Sequence, residues 1–442
     1  MKLSSLAILF LGVALAAPAI ALDVPLTYAA YPAQQNEFHP FGAQHIQTSQ
    51  TVPAGEWKLP PLVAKVPLYG LAEFGDKKFL MVLDYTAASD KFYSRLLFDA
   101  NANSDLTDDP VLEGKSTMQS NGQYVTVEIK QAAEFDVMIG DAKVRYSFRP
   151  QVHGWFQSAS PDMSKPENLQ NVNFYLRTNC SYTGEFDHEG AHYRVELGDR
   201  NTNGRFDDIV KVPTDMQRED RLYGVGDGFY ITTDSKNDYY NEMSLGDKLV
   251  LGESVFQVRI STPESKLTLT PITENLSSIR IPMAVERIVL VDSEFKNGIM
   301  MFRPGKVAKV PEGEYRMMSY QVLRNDKEGD LWRLNAMGSK KTEPASVKKG
   351  SSAVLALGEP YRPLVEIPEW ARSNMQSGAK EVQISFEIRG KGGEMVSDLS
   401  RIQGNKSKIP MSAKNGSRPK EPTYKIVKKD GEVAKQGQFE YG

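Results

Sequence analysis

Two short acidic stretches share a spacing that suits one kind of chemistry. One reads FDANANSDLTDD over residues 98–109, and the other reads GDRNTNGRFDD over residues 198–208. Counted from its first Asp, each has side-chain oxygens at loop positions 1, 3 and 5. A small residue follows at 6, an apolar residue at 8 and Asp at 10. The oxygens belong to Asp99, Asn101, Asn103 and Asp108 in the first copy, and to Asp199, Asn201, Asn203 and Asp208 in the second. Calcium takes six to eight oxygen ligands at about 2.3–2.6 Å, and alternate residues of a tight loop can supply them. Gly204 permits the sharp turn at position 6. Leu106 and Phe206 are expected to pin the loops to the core, and Asp109 and Asp207 stand ready to add oxygens. Asn, Asp and Gly also favour ordinary turns. The matched spacing of two copies is what sets these stretches apart.

The loops resemble the EF-hand-type loop, in the shorter form found in dockerin-like and Excalibur-like secreted modules. The likeness covers about a dozen residues per copy. It implies that the eight Asp and Asn residues named above are calcium ligands. Two departures stand out. Pro110 and Val210 occupy the place of the Glu that closes an EF-hand loop, and Ser104 replaces Gly in the first copy. Pro110 also blocks a following helix, and residues 209–213 read as a strand. The expected setting is therefore strand–loop–strand, with the ion in a structural role.

A second motif pulls toward different chemistry. His188-Glu189-Gly190-Ala191-His192 spells H-E-x-x-H, the zinc-peptidase signature. That chemistry needs a helix, because only there do both His share one face with Glu beside the zinc-bound water. Here Gly190 sits inside the motif, strand alternation resumes by Tyr193, and the acidic loop begins at Asp199. A β-hairpin turning at residues 187–190 fits better, which disfavours a zinc peptidase. Cys180 is the one cysteine, so no intramolecular disulfide forms. It reads as a small apolar residue in a strand. His39, His45 and His153 are scattered and read as surface or structural residues.

The elements around these motifs are strands. Tyr124-Val-Thr-Val-Glu-Ile129 and Tyr193-Arg-Val-Glu-Leu197 alternate with period two, and turn residues separate many such runs. No long segment has helical periodicity. The fold class read from this pattern is all-β. An antiparallel β-sandwich or barrel carries the two loops over residues 22–275. An immunoglobulin-like sandwich occupies 276–442, with a mobile insertion at 396–422. Residues 1–21 have a basic start, a short apolar run and an A-x-A step, which reads as a signal peptide. No later run is long and apolar enough for a membrane span. With a net charge of −3, the chain lacks the basic footprint of a nucleic-acid binder.

The expected protein is exported to the periplasm or exterior and stabilised by calcium. It binds or scaffolds an unidentified protein or polysaccharide. The alternative is a secreted hydrolase acting on glycan or peptide, with Asp234, Asp238 and Glu242 as candidate carboxylates. A third reading is polysaccharide recognition by an exposed row of Trp155, Tyr239 and Tyr240.

Overall fold

The structure is a computed structural model that describes residues 20–31, 42–119, 122–158, 161–218, 221–233 and 242–441. The signal segment up to residue 19, His39, Asp234, Asp238, Tyr239 and Tyr240 lie outside them.

Period-two alternation builds the strands. In Ala133–Ile139, residues 133, 135, 137 and 139 are buried while Glu134 and Asp136 are exposed. This strand turns at Gly140-Asp141 and pairs with Ala142–Trp155, the longest strand of the fold. Ala142–Trp155 outruns its first partner and goes on to pair with Val172–Thr178 and Tyr124–Glu128. Its even-numbered residues Val144, Tyr146, Phe148 and Val152 point into the core. By the same pleat His153 and Trp155 point the other way.

Two more antiparallel sheets pack on it. One is a meander of Leu68–Phe74, Lys77–Asp84, Arg95–Phe98 and Val111–Glu113. The other centres on Cys180–His188, Ala191–Gly198 and Gly228–Thr233. The meander meets the sheet of Ala133–Ile139 and Ala142–Trp155 in a cluster of Phe74, Phe79, Phe98, Phe135 and Phe148, with ring centroids 4.8–5.8 Å apart. Edge-to-face pairs dominate, the geometry the ring quadrupole prefers.

A twelve-stranded sheet continues the fold, from Leu22–Pro25 at one edge to Arg362–Glu366 at the other. Its middle strands Lys248–Leu251, Arg287–Asp292 and Gly298–Phe302 are covered on both faces. Leu249, Leu251, Val289, Val291, Met300 and Phe302 enter the large core. Val250, Ile288, Leu290, Ile299 and Met301 enter a second core. That second core lies beneath a three-stranded sheet of Val307–Pro311, Leu276–Arg280 and Ser352–Val354.

The all-β class and its sandwich packing are as expected, and among the described residues no sheet closes into a barrel. Three details differ. The expected division at 275/276 is no gap in the hydrogen bonding, because Lys248–Leu251 pairs in parallel with Gly298–Phe302 across it. Leu276–Arg280 also pairs in parallel, with Ser352–Val354. The expected insertion at 396–422 begins as a strand, Met395–Gln403, paired with Leu331–Met337. Register shifts at Leu331/Trp332 and Asn335/Ala336 disturb its alternation, which hid it from a period-two reading. After it, the buried Asp330 carboxylate accepts from the Lys406 and Ser407 amides and fixes the chain's return. Among the described residues no helix is long and apolar enough to cross a membrane.

Phe148 is fully buried in the ring cluster. Phe148→Ala is expected to lower unfolding free energy by about 3–5 kcal/mol in urea titration. A loss under about 1 kcal/mol would mean that the cluster does not hold these sheets together.

Candidate metal centre

Each acidic loop leaves the end of a core strand. Phe98 ends Arg95–Phe98 and sits in the ring cluster, so Asp99 emerges from a fixed point. Gly198 ends Ala191–Gly198, and Asp199 continues from it into the core. Asp99 is 1% exposed and Asp199 0% exposed. Their burial governs the electrostatics of both loops, because a carboxylate taken from water needs compensation.

The two loops adopt one conformation. Position 4 has positive φ in both, 55° at Ala102 and 59° at Thr202, and so does position 6, 70° at Ser104 and 80° at Gly204. In the first loop Asp99 accepts from the Asn103 and Ser104 amides at 3.1 and 3.2 Å. In the second, Asp199 accepts from the Thr202 and Gly204 amides at 2.6 and 2.8 Å. Asn101 Oδ1 and Asn201 Oδ1 accept from the amide two residues on, at 3.0 and 3.1 Å. Asn103 Oδ1 and Asn203 Oδ1 do likewise, at 2.7 and 2.8 Å. The side chains also converge. Asn103 Nδ2 reaches Asp108 Oδ2 at 3.0 Å, and Asn201 and Asn203 both reach Asp208 Oδ2, at 2.9 and 2.8 Å. The side chains of positions 3, 5 and 10 are therefore hydrogen-bonded together in the second loop, as are those of positions 5 and 10 in the first, through the Asn Nδ2 groups. An amide oxygen has two lone pairs, and each amide–backbone bond uses one.

The anchoring differs between copies. Leu106 packs in a small cluster with Tyr69, Leu80, Val82 and Leu97. Phe206 packs against Tyr146 and Tyr182, at 6.0 and 4.9 Å between centroids. The Tyr146 hydroxyl donates to Asp199 Oδ2 at 2.8 Å, and the Thr178 hydroxyl donates to the Asp199 carbonyl at 2.8 Å. Gly204 is favoured twice over: its φ is positive, which strains a side-chain-bearing residue such as Ser104 in the first loop, and a Cβ there would press on Val137 Cγ1 at 3.0 Å. Thr202, β-branched and left-handed, is a strained position. Its Oγ1 lies 3.1 Å from the Thr178 hydroxyl. The first loop leads into the strand Val111–Glu113, as expected. Beyond the second loop, 209–213 is extended but joins no ladder. Val210, Lys211 and Val212 donate to Leu245, Val225 and Phe295 in turn. The second loop thus lacks the regular exit strand read from its sequence.

Each loop also recruits a second carboxylate at its position-2 amide. In the first it is the half-buried Asp109, which accepts from the Ala100 amide. In the second it is the buried Asp227, nineteen residues past Asp208. Its Oδ1 accepts from the Arg200 amide at 3.2 Å, and its Oδ2 accepts from the Asp208 amide at 2.8 Å. Asp109 was among the candidate oxygens, but Asp227 carried no sequence signal beyond its Gly226 and Gly228 neighbours. Asp109 Oδ2 is buried without a hydrogen-bond partner. Burial, then repulsion from Asp99, raises the Asp109 carboxyl to about 6. Burial likewise pushes Asp199 and Asp227 upward, and for Asp227 the Asp199 charge adds to it. Among the described residues, no Lys or Arg side chain pairs with Asp99, Asp109, Asp199 or Asp227. Asp84 shows the contrast. It is fully buried too, and burial alone would raise it, but the Ala64 amide and Arg95 guanidinium hold it low.

The H-E-x-x-H residues do not converge. Cys180–His188 and Ala191–Gly198 form a hairpin whose turn, Glu189-Gly190, has positive φ at both residues. His192 stands opposite Asp187 and bonds it at 2.8 Å, whereas the neighbouring His188 faces the other side, on the Phe256 ring at 5.0 Å. Two imidazoles on opposite faces of a sheet cannot share an ion. Cys180 is a buried strand residue, as read. Among the described residues, no three His, Cys, Asp or Glu side chains gather as a metal cluster. That holds also for the carboxylates of the two loops, Asp99, Asp108 and Asp109 in one and Asp199, Asp208 and Asp227 in the other. Away from them, a shallow cleft lined by Asp247, Asp292, Glu294, Glu312 and Glu314 also collects carboxylates. Asp247 and Glu294 are paired there with Lys248 and Lys296, and Asp292 is bonded to its own turn. No family model, curated protein or solved structure matches the chain.

A raised carboxyl pKa in the folded state means that the folded protein holds its proton longer than the unfolded chain. Stability then falls as pH rises from the ordinary value of 3.8, through about 6 for Asp109 and beyond for the buried pair. His153, lowered by burial, acts in the opposite sense over an overlapping range, with or without an ion. The readout is therefore the gap between melting temperatures in calcium and in EDTA. It is expected to widen from about pH 5 to pH 7.5, as Asp109 and Asp199 ionise. A gap that stays constant or narrows would contradict this electrostatic picture.

Proposed function

We propose that this chain is an exported binding or scaffold protein of the cell envelope or exterior, stabilised by calcium at its two acidic loops. The observation that carries the reading is the set of desolvated carboxylates without cationic partners among the described residues, placed in the same conformation twice. The orphaned Asp109 oxygen supports it further. The residues present fit a hard cation: Asp99, Asn101, Asn103 and Asp108 would hold it in one loop, with Asp109 beside them. Asp199, Asn201, Asn203 and Asp208 would hold it in the other, with Asp227 beside them. A bound calcium supplies positive charge to ionised carboxylates; the amides, Tyr146 and Thr178 hold the second loop's oxygens in place meanwhile. At about 1 mM calcium and a dissociation constant of about 0.1 mM, each site adds about 1.4 kcal/mol of stability.

Export is supported by the signal-like segment of residues 1–21. A secreted hydrolase is the second reading, with the acidic cleft of Asp247, Asp292 and Glu312 as its support. It ranks lower because three of the cleft's carboxylates are already engaged.

Calorimetric titration of the mature chain with calcium tests the proposal. Two sites are expected; Asp199→Ala removes one, and Asp99→Ala the other. Zinc is the control. Binding of zinc in preference to calcium, dependent on His188 and His192, would overturn the proposal, and so would the absence of any calcium heat.

A further inference from the structure

The second core ends in a cavity. Three cross-strand neighbours, Val322, Leu334 and Leu399, carry the apolar face of this core across Gly313–Asn325, Leu331–Met337 and Met395–Gln403. The three-stranded sheet that covers the rest of the core contributes no residue here; Met283, Tyr361, Ile409 and Pro419 take its place. Between them and the strands lies a volume of about 260 Å³. Its polar side chains are already engaged. The Trp332 indole donates to Asp326 Oδ2 at 2.9 Å, and Asp326 Oδ1 accepts from the Glu328 and Asp330 amides. The Tyr361 hydroxyl lies 3.1 Å from that of Tyr320. At the rim, Arg324 and Glu359 pair with each other at 2.7 Å in an exposed ion pair. Among the described residues, no buried side-chain atom without a hydrogen-bond partner belongs to this lining.

We infer that this cavity is a binding site for one aliphatic chain of about eight to ten carbons, the tail of a small free amphiphile. Three observations select this occupant. First, the lining is unsuited to water. A buried water needs about two to four polar partners, and the polar groups here are spent on one another. An apolar occupant instead supplies the dispersion contacts that a cavity wall lacks. Second, the size is bounded. An apolar cavity of about 150 Å³ accepts benzene, so 260 Å³ has room for about ten carbons. The longer tail of a bilayer lipid would not fit. Third, the floor is elongated. Strands about 4.8 Å apart make the row of Val322, Leu334 and Leu399 about 10 Å long, which suits a chain better than a compact ring. The head of the amphiphile stays at the rim in water, where Arg324 and Glu359 cancel each other's charge. Apolar walls with a few polar groups at the mouth are the usual form of a small-molecule site. The inference goes beyond the calcium-stabilised role, and the cavity shares no residue with the acidic loops.

Isothermal titration of the mature chain with the 1-alkanols from hexanol to dodecanol tests the site. One saturable site is expected. Affinity is expected to rise about fourfold with each methylene and to level off near ten carbons. Leu334→Ala deepens the cavity and is expected to move the levelling point to a longer chain. Ile409 is 46% exposed, so Ile409→Trp can block the cavity without disturbing the core. That variant is expected to bind decanol about tenfold more weakly or worse, at an unchanged melting temperature. Both variants should keep the melting-temperature gap between calcium and EDTA. Three results would overturn the inference: no saturable binding of any alkanol, affinity that climbs unchecked through dodecanol, or unchanged decanol binding by folded Ile409→Trp. Each leaves the calcium titration to decide the calcium reading.

Discussion

The fold depends on how it keeps negative charge inside a β core. Asp99, Asp109, Asp199 and Asp227 are drawn wholly or partly out of water around the ends of two core strands. Among the described residues, no basic side chain meets them. Backbone amides do part of the work, in the left-handed bends at Ala102 and Ser104 and at Thr202 and Gly204. Amide dipoles alone leave Asp199 and Asp227 with raised pKa values, and at neutral pH that is a standing cost to stability. The proposed divalent ion at the loop oxygens would remove the cost without adding a basic side chain to the core. Asp84, neutralised by Arg95 inside the same fold, is the other solution to the same problem.

The strand Ala142–Trp155 links the two loops. Its inner face puts Tyr146 on Asp199 and Phe148 against Phe98, the residue before Asp99. Its outer face carries His153 and Trp155.

Much of the fold was legible because alternation survives in sequence: Ala133–Ile139 and Tyr193 to Leu197 state their buried faces outright. It failed where both faces are buried. Ile288-Val-Leu-Val291 and Ile299-Met-Met-Phe302 are continuous apolar runs that serve two cores at once. The sequence texture changes little there, so a boundary drawn at 275/276 cuts a shared sheet. It failed again at Met395–Gln403, where bulges scramble the period. The shared conformation of the two loops was legible because their spacing is local and recurs. Asp227 was not, because it reaches the second loop through tertiary packing. The ring contacts on the outer face of Ala142–Trp155 were missed for a similar reason. Trp155 was noticed, but Tyr124 meets it, and Tyr175 meets His153 and His45, only through strand register, which is not written locally.

The most direct measurement is anomalous diffraction from crystals of the mature protein grown in calcium. Two peaks are expected, one among Asp99, Asn101, Asn103 and Asp108 and one among Asp199, Asn201, Asn203 and Asp208, each ringed by oxygens at about 2.3–2.6 Å. Density for water alone at both positions, in crystals saturated with calcium, would contradict the central claim.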